Sequence, residues 1–416
     1  MKNNNTSNEN TPTLWTRDFT IITIGSVVSM LGGSMAGFAI SLFVLDYTSS
    51  PAFYAIFIFL HTLPQIAAPL LAGPLMDRFS RRRTIYMLDF TSAAVYFILA
   101  VIVMTGRFSF PILAAATFII GTIDSTYYVA YDSFYPLLIT KGNYSKAYSI
   151  SGTLQTLTAV MIPVATLFYN AFGIYPLLFF NSACFLTAAL FETRISDVEK
   201  YLDKEIRYSA KRYWQDTKDG FIYLMSEKGL LFVALYFAFS SMGGGVESVI
   251  TLPWFKETFS NGEYIYMSVV GFIVLGRSLG GFLHYKIKLP TRYKFAIALA
   301  VYVLLSILEG IYLYTPLWIM RFLCFTIGIL GVTSYTIRIS GTQAYVPNER
   351  RGRFNGAFMM LNTIGSLTGE LAAGAALTVM PMRPVLSLFM AIVLVATLFF
   401  IWGGRKHIRP IYNTEA

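Results

Sequence analysis

The chain has 416 residues, of which 55% are hydrophobic and only 13% charged, with a net charge of +10 and a mean hydropathy of +0.58. A soluble domain carries roughly 25% charged residues, so the composition excludes a disordered chain, a secreted disulfide scaffold and a soluble multidomain enzyme, and points to an integral membrane protein. The basic residues fall in short pieces between apolar runs rather than on one face, which excludes nucleic acid as a partner and makes the lipid bilayer the expected surroundings.

A hydrocarbon core about 30 Å thick needs roughly 20 apolar residues per helix. Residues 1–17, rich in Asn and Thr and without a basic leader, read as a cytoplasmic tail. Six spans follow at 18–45, 52–75, 84–105, 110–139, 147–170 and 174–192, making an N-terminal bundle over 18–192. The polar segment 193–228 carries eight basic and seven acidic residues; Val198, Leu202 and Ile206, four apart, predict an amphipathic helix in a cytoplasmic linker. Tyr213, Trp214 and Phe221 are available to the membrane interface. Six more spans at 229–255, 264–285, 294–314, 317–340, 354–380 and 384–403 make a C-terminal bundle over 229–403, and 404–416 reads as a second cytoplasmic tail. With both termini inside, 26 of the 32 Lys and Arg fall in cytoplasmic segments, and only Arg107, Lys256 and Arg383 in outer ones. That asymmetry sets the expected orientation. Cys184 and Cys324 lie in apolar runs with no metal or redox spacing, so neither a metal nor a cofactor is expected.

The halves resemble each other at an offset of 207 to 211 residues: Ser29-Met30-Leu31-Gly32-Gly33-Ser34 against Ser240-Ser241-Met242-Gly243-Gly244-Gly245, and Tyr135-Pro136 against Val346-Pro347. Six spans between equivalents give parallel repeats. Between spans two and three stands Gly73-Pro74-Leu75-Met76-Asp77-Arg78-Phe79-Ser80-Arg81-Arg82-Arg83. It resembles the G-x-L-a-D-r-x-G-r-r motif of the major facilitator superfamily, with Ser80 in place of the second Gly. The resemblance implies an all-α fold of twelve transmembrane helices in two six-helix bundles, working by alternating access. It also implies a conformational latch formed by Gly73, Asp77, Arg78, Arg81 and Arg82, with Asp132 on span four locking Arg81. The family's Arg on span four is missing from Thr117-Phe118-Ile119-Ile120-Gly121, and its span-five antiporter motif is reduced to Pro163.

An acid within a span costs roughly 2.5–3.5 kcal/mol on insertion scales and so calls for a reason. Asp124, deep in span four, is the first proton-coupling candidate, with Glu247 after three glycines on span seven and Glu370 on span eleven as rivals. The glycines before Glu247 would loosen the helix and free backbone groups for a ligand. Glu370 could pair with Arg277 or Arg338. Glu309 on peripheral span nine is expected to snorkel outward, and Asp89 and Arg321 read as span-end charges. Tyr127, Tyr128 and Tyr131, joined by Arg277, Arg338 and His61, are candidates for lining a substrate cavity.

The expected function is proton-coupled export of a small amphiphilic, drug-like molecule by a monomer in the bacterial cytoplasmic membrane, on a resemblance to drug and macrolide-type exporters. Metabolite uptake or facilitated diffusion is one alternative and a lipid flippase another. No catalytic motif is found, and an enzyme is not expected.

Overall fold

The computed structural model describes residues 13–66, 80–140, 161–196, 210–286 and 289–413, together with Ala147, Ile150, Leu154 and Thr158. The described helices of the first half are α1 (Arg17–Thr48), α2 (Pro51–Thr62), α3 (Arg81–Met104), α4 (Phe110–Phe134), α5 (Met161–Phe172) and α6 (Ile174–Glu192). A linker helix, α7 (Ala210–Ser226), leads to α8 (Lys228–Thr258), α9 (Gly262–Lys286), α10 (Lys294–Ile311), α11 (Leu317–Tyr345), α12 (Asn348–Ala376), α13 (Met382–Ala396) and α14 (Arg405–Tyr412). Side chains start several of them: Thr16 Oγ1 accepts from the Phe19 amide at 3.2 Å and Ser80 Oγ from the Arg83 amide at 3.3 Å, each satisfying an orphan first-turn donor. Pro51 and Pro111 sit in first turns, where a missing N–H costs nothing.

Among the described residues nine helices are long and apolar enough to cross a membrane: α1, α3, α4, α6, α8, α9, α10, α11 and α13. The described parts of α2 and α5 are shorter, and α12 is long but opens on a run of charged residues. Each of the twelve expected spans is thus occupied by a helix, and the all-α architecture follows.

Two compact units can be described. One covers Met1–Ala39, Leu71–Ala116 and Ile123–Arg207; the other covers Ile40–Leu70, Thr117–Thr122 and Tyr208–Ala416. The expected division at the central linker is therefore crossed. The end of α1, all of α2 and a short stretch of α4 group with the second-half helices, because α2 packs on α12 and α8. In the first unit the tightest helix pair is α3 with α6, and Phe19, Ile22, Ile85, Ala130 and Phe134 are buried together. In the second unit the main seam joins α8 and α12. There Gly245 lies on the Ser366 carbonyl, Gly365 on that of Ala238 and Gly369 on that of Met242, so any Cβ at these positions would overlap backbone oxygen. Close packing accounts for Gly243 and Gly245 but not for Gly244, and α8 runs unbroken from Lys228 to Thr258, contrary to the loosened helix expected there.

Two other expectations shift. Val198, Leu202 and Ile206 lie outside the described residues, and the observed linker helix begins at Ala210. It docks on α12: Gly220 meets the Arg353 carbonyl, Asp219 pairs with Arg353 at 3.7 Å, Arg350 lies over the Tyr223 ring at 4.9 Å, and Leu224 is buried. Phe221 is partly buried and packs against the core. The segment expected to be a C-terminal tail contains α14, whose Ile408, Ile411 and Tyr412 are buried. Its Tyr412 hydroxyl shares a 2.9 Å hydrogen bond with Tyr302.

Candidate functional site

The first unit encloses a cavity of about 540 Å³ between α1, α3, α4 and α6. Its main wall is one face of α4. Asp124, Tyr127, Tyr128, Tyr131, Asp132 and Tyr135 recur at the three-to-four spacing that puts side chains on one side of a helix. Tyr127 stacks on Tyr131 with ring centres 5.9 Å apart, and Tyr131 on Tyr135 at 5.2 Å. The Tyr135 hydroxyl donates to the Ala147 carbonyl at 2.9 Å, which anchors the foot of the ladder. α1 adds hydroxyls from Ser26, Ser29 and Ser34, and α3 adds Asp89 and Ser92. No Lys, Arg or His is among the described residues lining this cavity.

The three tyrosines expected to line a cavity do so. Asp124 and Asp132 are exposed on the same wall, so Asp124 is a water-facing acid rather than a desolvated one. Among the described residues Asp132 makes no ion pair with Arg81. Gly73, Asp77 and Arg78 of the expected latch lie outside the described residues. Arg82 is turned toward α6, where its Nη2 donates to the Thr193 carbonyl at 2.5 Å and closes off that helix end.

At the cavity wall stand two buried acids that the sequence did not single out as functional, Asp89 in the lining and Glu192 behind it. Asp89, read as a span-end charge, is 1% exposed, and Glu192 at the end of α6 is fully buried. Their carboxyls lie within hydrogen-bonding reach of each other, and Asp124 is within electrostatic reach of Asp89. The Tyr127 hydroxyl donates to Glu192 Oε1 at 3.4 Å, and Gly25 of α1 presents its bare Cα to the same carboxyl. Both Asp89 oxygens and Glu192 Oε2 lack a hydrogen-bond donor among the described residues. Glu192 could have been noticed as an acid closing the apolar run Phe185 to Phe191. Nothing in one sequence, however, says that it turns inward.

The second unit has its own acid cluster. Glu247 on α8 accepts from the Tyr312 hydroxyl at 3.3 Å, and Tyr312 shares a 3.2 Å hydrogen bond with Thr251. Glu309 on α10 faces Glu247, and Arg277 on α9 lies within electrostatic reach of both glutamates. Glu309 therefore points into the bundle, correcting the expectation that it snorkels outward; the nearby cation offsets its charge there. Arg277 attends Glu247 and Glu309, and Arg338 is held over the rings of Phe237, Tyr335 and Phe358 at 5.2, 5.2 and 4.7 Å. Neither forms the ion pair with Glu370 that was considered. Glu370, 3% exposed, instead accepts from Ser366 at 3.1 Å and faces His61 and Thr62 of α2. Gly121 lies against the His61 backbone. Arg321 Nε donates to Ser268 at 3.1 Å.

A family model described as Major Facilitator Superfamily matches residues 22–370. The chain belongs to that superfamily. It is a multi-pass membrane transporter and not an enzyme. It is 23% identical over 361 residues to the uncharacterized MFS-type transporter YkuC of Bacillus subtilis (strain 168), covering 83% of this chain and 82% of that one. Among solved structures, a crystal structure of a mutant of the nucleoside transporter NupG superposes with a TM-score of 0.68. It shares 11% identity and covers 94% of this chain and 99% of its own. At that identity the likeness speaks for the fold.

Proposed function

We propose that this transporter couples protons to the export of a small amphiphilic molecule across a bacterial cytoplasmic membrane, acting as a monomer with both termini inside. The first-unit cavity carries the reading. Its described lining combines three acids and four tyrosines with no basic side chain. Aromatic faces and carboxylates favour an aromatic or cationic solute and disfavour an anion. Asp124, the exposed acid, supplies the port through which a proton reaches the site, with Glu247 and Glu370 as rival coupling positions. Tyr127, Tyr128 and Tyr131 contact the solute. Gly73, Asp77, Arg78, Arg81 and Arg82 form the latch, with Asp132 beside it. A second reading, uptake of a hydroxylated solute, is supported by the hydroxyls of Ser26, Ser29, Ser34, Ser92 and Thr158 in the same lining and by the nucleoside transported by the fold neighbour.

Purified protein in proteoliposomes, given ethidium, uridine and a fluorescent phospholipid in turn, separates these readings. Ethidium moving against its gradient when a pH gradient is imposed supports proton-coupled export. Accumulation of uridine alone replaces it with uptake, and movement of lipid alone replaces it with a flippase. For orientation, a cysteine at Asn261 should react with an impermeant thiol reagent in intact cells and one at Asn143 should not. Equal reaction at both positions contradicts the proposed topology.

A further inference from the structure

We infer that Asp89 and Glu192 form a single proton site, holding one proton between two carboxyl groups. Both acids are shut off from solvent, on neighbouring helices α3 and α6, with their carboxyls within hydrogen-bonding reach. As two carboxylates they would offer four acceptor oxygens and no donor. The donor present, the Tyr127 hydroxyl, reaches only Glu192 Oε1. Two like charges packed this closely away from water repel strongly, so the doubly ionised pair is the high-energy state. One added proton converts the repulsion into a charge-assisted hydrogen bond and supplies the missing donor.

Among the described residues, the groups around the pair are hydroxyls, phenols and a third acid, with Arg82 as the cation beside it. α1 contributes Gly25, the buried hydroxyls of Thr23 and Ser26, and no charge. α4 contributes Tyr127 and Tyr131 and the acid Asp124, whose negative charge adds to the demand for a proton. On α3 and α6 the cation placed beside the pair, Arg82, is engaged with the Thr193 carbonyl. The Ser26 hydroxyl, 1% exposed and lacking a hydrogen-bond partner among the described residues, faces Tyr127. It is placed to accept a hydrogen bond from the phenol if Tyr127 turns.

Tyr127 is the positioning residue. It lines the cavity on one side and holds Glu192 on the other, so a solute that engages its hydroxyl alters how tightly the pair keeps its proton. In the releasing step the proton passes from the pair to cavity water at Asp124. The pair goes from one negative charge to two, and no other bond changes. The place of this step in a transport cycle rests on the proposed proton-coupled reading; the existence of the shared proton does not.

Infrared difference spectroscopy of the purified full-length protein tests the inference without any substrate. Raising the pH of the wild type should remove one protonated-carboxyl C=O band in a one-proton step. Asp89→Asn and Glu192→Gln should each abolish that change, and Asp124→Asn should keep it. Tyr127→Phe leaves both carboxyls in place but removes a donor that favours the ionised form, so the band should persist to higher pH. This variant keeps the test decisive if substitution of an acid prevents folding. A wild type with no titrating carboxyl band, or a band that survives in both acid variants, overturns the inference. So does loss of the band on adding Na⁺ at fixed pH, which would mark a sodium site. A band that behaves as described, in a protein that moves none of the three solutes under a pH gradient, overturns the transport reading and leaves the pair standing.

Discussion

The two units carry acid pairs of opposite design. In the first, the cation beside Asp89 and Glu192, Arg82, is spent on the Thr193 carbonyl, and the other described groups around the pair are hydroxyls and a third acid. In the second, Glu247 and Glu309 face each other with Arg277 in reach of both, and Glu247 is further held by Tyr312 and Thr251. A guanidinium within reach of the pair offsets one of its two charges, because the Arg keeps its proton at any pH a cell meets. A pair lacking that balance must take its compensation from solution. On the proposed reading, one half of the duplicated fold holds an acid pair with a resident cation and the other a pair that exchanges a proton.

The sharpest way to break this contrast is to remove the balancing charge. Arg277→Gln should leave Glu247 and Glu309 uncompensated and lower the melting temperature of the detergent-solubilised protein more than any other single change discussed here. The double variant Arg277→Gln with Glu309→Gln should recover most of the loss, since the two positions act on one another. No loss of stability in the single variant, or no recovery in the double, would dissolve the distinction between the halves.

A second comparison sets Glu192→Gln against Glu309→Gln. The first should cut pH-gradient-driven transport by at least about tenfold, equivalent to about 1.4 kcal/mol of driving interaction. The second should leave more than half of it. Comparable losses in both would mean that the halves share the coupling task.

The smallest effect is steric. In Gly25→Ala the new Cβ would stand 3.0 Å from Glu192 Oε1 and 3.2 Å from its Cγ, close enough to displace the carboxyl by a few tenths of an ångström. Transport should fall severalfold, with the protein still folded and membrane-inserted. Gly37→Ala on the same helix, where an added Cβ meets nothing within 4 Å, is the control and should be neutral. Equal effects at the two glycines would remove Glu192 from the account.

Much of the fold was legible because the bilayer imposes it: apolar runs of fixed length, basic loops and the offset repeat are all one-dimensional signals. The α4 wall was legible too, since Tyr127, Tyr128 and Tyr131 follow helical periodicity with Asp124 and Asp132. The partners across helices were not. Glu192 ends an apolar run in front of Thr193 and Arg194, and only the packing of α3 on α6 with Gly25 behind them turns it inward toward Asp89. Glu309 looked lipid-facing because its compensating Arg277 lies on another helix, 32 residues earlier. The stretch Arg405 to Tyr412 looked like a tail because its apolar positions are few. Its burial depends on α11 and on Tyr302, which no local pattern announces.

Coupling through the first unit is tested most directly by comparing exchange with accumulation in Glu192→Gln proteoliposomes, using the solute that the wild type moves. The amide keeps the pair permanently uncharged at that position, so the variant should still exchange labelled for unlabelled solute at equal pH on both sides. It should fail to build a gradient when a pH difference is imposed. Accumulation at the wild-type level would contradict the account, and so would loss of exchange from a protein that remains folded and inserted.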